Sequence, residues 1–216
     1  GWDSQQMLDG IEGILNLAAA SGEDLGTTSD IVTDALTAFG LKASDAAHFS
    51  DVLAQSAASA NTNVSMMGES FKYVAPIAGA MKYSVEDTSL ALGLMANASV
   101  KGSMAGTSLK TVLANMAAPT DKMATAMKKY GISLTDSNGN MKTLKGVLDN
   151  LRSSLGGLSE TEKTAAASTI FGKEAMSGML AIINATESDY NKLAESINNA
   201  DGAASKMSDT MLDNLE

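Results

Sequence analysis

Residues 141–155, MKTLKGVLDNLRSSL, carry the clearest pattern in the chain. Met141, Leu144, Val147, Leu148, Leu151 and Leu155 recur at helical spacing, so they line one face of an α-helix. The same periodicity repeats nearly end to end, punctuated by glycine stops and Ser/Thr starts. Leu8, Ile11, Leu15 and Ala18 form one stripe that ends near Gly22. Ile31, Val32, Ala35, Leu36 and Phe39 form a second, with Gly40 placed as a left-handed C-terminal cap. Ser44 can cap a third, with the stripe Phe49, Val52, Leu53, Ala57 and Ala60. A fourth carries Val64, Met67, Phe71, Val74 and Ala78. Pro76 lies within it and is expected to kink or break it, because proline lacks an amide proton and clashes one turn back.

Capping boxes mark later starts. Ser84-Val85-Glu86-Asp87 precedes the stripe Leu90, Ala91, Leu94, Met95 and Ala98. Ser159-Glu160-Thr161-Glu162 opens a helix that stops near Gly172, and Thr186-Glu187-Ser188-Asp189 opens one bearing Tyr190, Leu193, Ala194 and Ile197. Further helices are expected over 104–117 and 120–130. The fold class is therefore all-α, an irregular array of about nine to eleven short helices.

One segment departs from the pattern. Ile132-Ser133-Leu134-Thr135 alternates, and Asp136-Ser137-Asn138-Gly139-Asn140 follows, which reads as a tight turn or a tiny two-stranded ribbon over 132–141. It is also the best boundary between an N-terminal helical part, 1–130, and a turn plus C-terminal helical part, 131–216; one continuous domain is the alternative.

Hydrophobic residues make up 44% of the chain and aromatics only 4%, so the core must come from aliphatic side chains and 14 methionines. Small or flexible side chains predict thin helix–helix layers, completed by neighbouring chains. A net charge of −10 with the single arginine Arg152 leaves no basic patch for phosphates, which argues against nucleic acid and anionic membranes. No stretch approaches the ~18 apolar residues of a membrane span. With no cysteine, disulfides, thiolate metal sites and cysteine nucleophiles are excluded. The chain starts at Gly1 with no signal peptide, and Met211 to Glu216 still reads as helix, so a fragment of a longer protein is expected.

No motif for chemistry survives its context. From Asp136, the sixth and twelfth positions of a calcium loop would be Met141 and Val147, neither of them a suitable residue. Gly102 and Gly106 lack the lysine of a phosphate loop and mark a turn or a tight backbone approach. His48, alone and beside Phe49, reads as a surface or boundary residue rather than a zinc ligand. Glu69-Ser70 and Gly93-Leu94-Met95 superficially match lytic transglycosylases, but the aromatic residues that wall a sugar cleft are scarce. No catalytic, cofactor-binding or metal-binding residue is assigned, and no cofactor.

Ordered blocks nevertheless carry a resemblance. Residues 17–25 (LAAASGEDL), 35–41 (ALTAFGL), 68–76 (GESFKYVAP), 92–98 (LGLMANA) and 101–109 (KGSMAGTSL) resemble the core region of phage tail tape measure proteins in sequence and order. Ala118-Pro119-Thr120, Tyr130-Gly131-Ile132 and Ile170-Phe171-Gly172 continue the series. Lys101, where a small or apolar residue is expected, and Met116, in place of leucine, depart from it. The resemblance implies a non-enzymatic scaffold of a phage or prophage tail, active in assembly and length determination. It implies a place in the tail lumen, and in the host cytoplasm during assembly. Expected partners are copies of itself, the tail tube, the tail tip and assembly chaperones. The rival reading is a peptidoglycan-cleaving tail module built on Glu69.

Overall fold

The computed structural model describes residues 2–214 and is all-α among them. Its helices are α1 (Ser4–Ser21), α2 (Leu25–Phe39), α3 (Ala46–Ser59), α4 (Val64–Ala80), α5 (Val85–Asn97) and α6 (Gly102–Ala117). They continue as α7 (Asp121–Tyr130), α8 (Leu144–Leu155), α9 (Glu160–Phe171), α10 (Met176–Asn184), α11 (Glu187–Asn198) and α12 (Ala203–Asp213). Twelve helices exceed the expected count because α10 announces itself with no side-chain cap. The helical reading of 215–216 lies outside the described residues.

Local signals set most boundaries. Asp24, Asn63, Ser84, Thr120, Thr143, Ser159 and Thr186 each accept a backbone N–H of the first turn that follows. Of the three expected capping boxes, only Ser159/Glu162 closes both ways. Ser44 caps nothing; it lies inside a 3-10 turn, Ala43–Asp45, that leads into α3. Met141 is not helical. It pairs with Thr135 in an isolated antiparallel bridge around the expected turn, and α8 begins only at Leu144. Asp136 organises that turn, its Oδ1 accepting from the N–H of Asn138 (2.8 Å) and of Asn140 (2.9 Å). The Asn140 bond, with the others, holds its pKa below the usual carboxylate value.

Pro76 does not break α4. It sits on the exposed face, where the Lys72 carbonyl that loses its helical partner can turn to water.

The core runs through residues from Ile14 to Ala204 and is deeper than the thin layers expected. Phe71 on α4 is its aromatic centre, edge-on to Phe39 at 5.9 Å and to Phe49 at 5.4 Å, which joins α2, α3 and α4. Helix α5 lies at the middle, packed against α3, α4, α6, α8, α10 and α11. From Leu90 to Ala96 every residue of it is buried, because LALGLMA is apolar on all sides rather than on one stripe.

The first stripe is a correction. Leu8, Ile11 and Leu15 face outward, and α1 buries Gly10, Gly13, Ile14 and Leu17 against α3 and α12 instead. A Cβ on Gly13 would stand 2.6 Å from the Ala47 backbone, so glycine lets this face, and not the greasier one, approach α3.

Candidate functional site

Three polar features of the surface bring functional side chains together. The first is a cavity of about 630 Å³ lined by residues of α8, α9, α10 and α11, among them Lys145, Asp149, Arg152, Lys163 and Tyr190. Its charges are committed to one another. Arg152 Nη1 donates to the carbonyls of Ile182 (2.7 Å) and Ala185 (2.8 Å), which closes the C-terminal end of α10 with a cation where the helix dipole favours one. Its guanidinium lies 4.3 Å from the centre of the Tyr190 ring, and its Nη2 reaches Glu187 at 3.2 Å. Lys163, buried, is held by Glu160 (2.9 Å) and Asn184 (2.8 Å). Tyr190 donates to Asp149 at 2.5 Å; burial and that carboxylate push its phenol pKa well up. The arrangement fastens four helices together.

The second is a groove of about 660 Å³ between α2 and α4, where Glu69 stands with Asp30, Asp34 and Lys72 over a floor of Ala35, Phe71 and Ala75. The neighbouring Ser70 is turned inward, donating to the carbonyls of Met66 (3.0 Å) and Gly102 (2.7 Å). A Cβ on Gly93 would stand 3.0 Å from the Leu193 side chain, and one on Gly178 would stand 3.1 Å from the Met95 sulfur. The residues read as a superficial hydrolase match are thus split: Glu69 lines a surface groove, and Gly93-Leu94-Met95 is packed core. No exposed ring lines the groove to hold a sugar.

The third is His48, which is exposed as read and carries a contact pattern that no local motif signals. Nε2 lies 2.5 Å from Glu86 and Nδ1 3.1 Å from Asp201, so one imidazole ties α3 to α5 and to the turn before α12. Both ring nitrogens can donate only when the ring is protonated. Burial alone would lower its pKa, but the bonds to Glu86 and Asp201 leave it raised. A raised folded-state pKa means the clamp stabilises fully below the unfolded value of about 6.5 and fades as pH rises through the folded one. Because His48 is half exposed, the contribution is at most about 1 kcal/mol. Urea midpoints at pH 5.5 and pH 8.5 should therefore differ less in His48→Gln than in the parent; equal differences would refute the clamp.

Among the described residues no group of acids and histidines gathers to hold a metal ion. No helix there is long and apolar enough to cross a membrane. A model of the family described as phage-related minor tail protein matches residues 1–172. The chain belongs to this minor tail protein family. It is also similar to the tape measure protein of Pneumococcus phage Dp-1, with 40% identity over 215 residues, covering 100% of this chain and 19% of that protein. A probable tape measure protein of Escherichia phage P2 shares 29% over 204 residues, covering 93% of the chain and 25% of its own length. This minor tail protein chain thus spans about a fifth to a quarter of the relatives it matches. No solved structure matches it.

Sequence reading missed the long-range anchors. Asp87 of α5 accepts from the Lys145 N–H (2.8 Å) at the start of α8, and Asp51 of α3 accepts from Gly202 (2.8 Å) and Ala204 (2.9 Å) at the start of α12. Both are acids at helix N-termini, but the acid and the helix are far apart in the chain.

Proposed function

We propose that this chain is a non-enzymatic structural core of a phage tail tape measure protein, acting in tail assembly. The supporting observation is its 40% identity, across its whole length, to a protein of that name. The committed charges around Arg152 and the separation of Glu69 from Gly93-Leu94-Met95 support the absence of catalysis. Under this reading the protein resides in the tail lumen, and in the bacterial cytoplasm during assembly. It meets the tail tube, tail tip, assembly chaperones and copies of itself, and it binds neither nucleic acid nor cofactor. Parts 1–130 and 131–216 act together, since α5 of the first packs on α8, α10 and α11 of the second.

Length measurement falls to extended helix outside this core. In-frame removal of the 216 residues from the phage protein should therefore abolish or derange tails when particles are examined by electron microscopy. Intact tails shortened by about 320 Å, the 1.5 Å per residue of a helix over that length, would instead make this segment part of the ruler. Purified parent and Glu69→Gln chains should both leave peptidoglycan uncleaved; cleavage by the parent alone would reinstate the hydrolase reading.

A further inference from the structure

We propose that the groove between α2 and α4 is a docking site for a basic amphipathic helix of another protein. The inference rests on the reading that the chain works among other tail components, and gives one such contact its surface and its chemistry. Packing makes the groove. The two helices touch at Ile31 and Gly68, where a Cβ on the glycine would stand 2.5 Å from the Ile31 side chain, and again at Ala38 and Gly79. Between those contacts Ala35 and Ala75 are too small to fill the space beside the Phe71 ring, which leaves an apolar floor. From Thr27 to Ala38, α2 spans about 16 Å, room for roughly three turns of a bound helix. Thr27, Ile31 and Glu69 also line a second cavity of about 450 Å³, so the depression continues. There Met66, 41% exposed, offers a pliant apolar contact.

The rim selects the charge of the occupant. Asp30 and Asp34 stand one helical turn apart along the α2 wall, and Glu69 lies on the α4 wall. None of these three carboxylates makes a salt bridge among the described residues. The other rim groups also accept rather than donate. Thr37 donates its hydroxyl proton to the Thr33 carbonyl (2.8 Å), and Thr27 donates its own to Asp24. Pro76 has no N–H to offer the Lys72 carbonyl one turn back. Lys72 is the one cation among the described residues that line the groove. Acceptors along both walls suit a ligand that carries several N–H donors. Lysine or arginine side chains four residues apart on a helix reach Asp30 and Asp34 in turn, while a small apolar face settles on Ala35 and Ala75.

The same charges turn other ligands away. Phosphates of nucleic acid or lipid would meet carboxylates, and a second copy would bring a charge of −10 of its own. The acids are strung along the walls rather than gathered at one point, and among the described residues they form no metal-holding group. Opposite charge on the partner raises its rate of encounter and fixes its register on the floor.

The probe is a labelled, stapled helix of about 15 residues built from alanine, leucine and lysine, with lysines at i, i+4 spacing along one edge. Anisotropy titrations with the chain should show saturable binding that weakens as salt is added. Removing the rim charges, as Asp30→Asn/Asp34→Asn/Glu69→Gln, should weaken binding about tenfold, roughly a factor of two for each partly exposed pair. Removing as many exposed acids elsewhere, as Glu12→Gln/Glu195→Gln/Asp209→Asn, should leave the affinity within about twofold of the parent. The chain has no cysteine of its own, so a cysteine on the probe reports its position. It should form a disulfide with Thr37→Cys on the rim and not with the exposed Thr161→Cys on α9. Equal losses in the two triple variants, equal cross-linking at both cysteines, or equal binding of a glutamate-for-lysine probe overturns the proposal. So does a parent oligomer that the rim variant breaks up, since a second copy would then hold the groove. The cross-linking pair keeps every rim acid, so it decides the matter even if the triple rim variant fails to fold. All arms use the isolated chain; their failure leaves the tail assignment standing, which the deletion phenotype tests separately.

Discussion

Replacing Phe71 with alanine should lower the free energy of unfolding by about 3–5 kcal/mol. The ring is 1% exposed and meets Phe39 and Phe49 edge-on, so three helices lose one shared filling. Each aromatic pair is worth about 0.5–1.5 kcal/mol beyond the area it buries, and both vanish together. The neighbours cannot close the gap, because α4 is held between α2 and α6 by backbone contacts that already touch. Phe71→Leu, which keeps most of the volume, should cost clearly less. Urea titrations followed by circular dichroism decide the matter. A loss below about 1 kcal/mol for the alanine variant would mean the cluster is peripheral to stability.

Gly106→Ala should destabilise by about 1–3 kcal/mol, against the usual benefit of alanine in a helix. The added Cβ would stand 2.2 Å from the Ser70 carbonyl oxygen and 2.9 Å from its carbonyl carbon and Cα. These are backbone atoms, so no rotamer change relieves them; α6 and α4 must move apart. Separation would also stretch the 2.7 Å bond from Ser70 Oγ to the Gly102 carbonyl. The helix-propensity gain of up to about 1 kcal/mol offsets only part of this. Gly79→Ala should behave alike, since its Cβ would fall 2.1 Å from the Ala38 carbonyl oxygen on α2. Gly157→Ala, with open space around it, should change stability by no more than about 0.5 kcal/mol. A neutral or stabilising Gly106→Ala would show that the α4–α6 approach is looser than described.

The family assignment rests on features a linear reading can hold. Residues 68–76 and 101–109 carry both a family block and the α4–α6 crossing, with Ser70 and Gly106 at the point of contact. Gly102 and Gly106 read as a turn or a tight approach, and both occur: Gly102 at φ 57° opens α6, and Gly106 touches α4. Phe-Gly closes a helix at both 39–40 and 171–172, but by different routes. Gly40 is left-handed (φ 67°, ψ 28°), while Gly172 (φ 86°, ψ 157°) leaves its helix by another route.

The all-α class, most helix starts and the turn at Asp136 are legible in the linear sequence. Each depends on interactions within a few residues: a hydroxyl or carboxylate on a nearby amide, or an apolar repeat at helical spacing. Long-range packing sets which face of α1 is buried, encloses α5 on every side, and brings Asp51, Asp87, Arg152 and His48 to the distant elements they fasten. Periodicity tells that a helix has an apolar face but not which neighbour will meet it. When a helix has two candidate faces, the glycines that permit close backbone contact decide, and here they left Leu8, Ile11 and Leu15 in solvent.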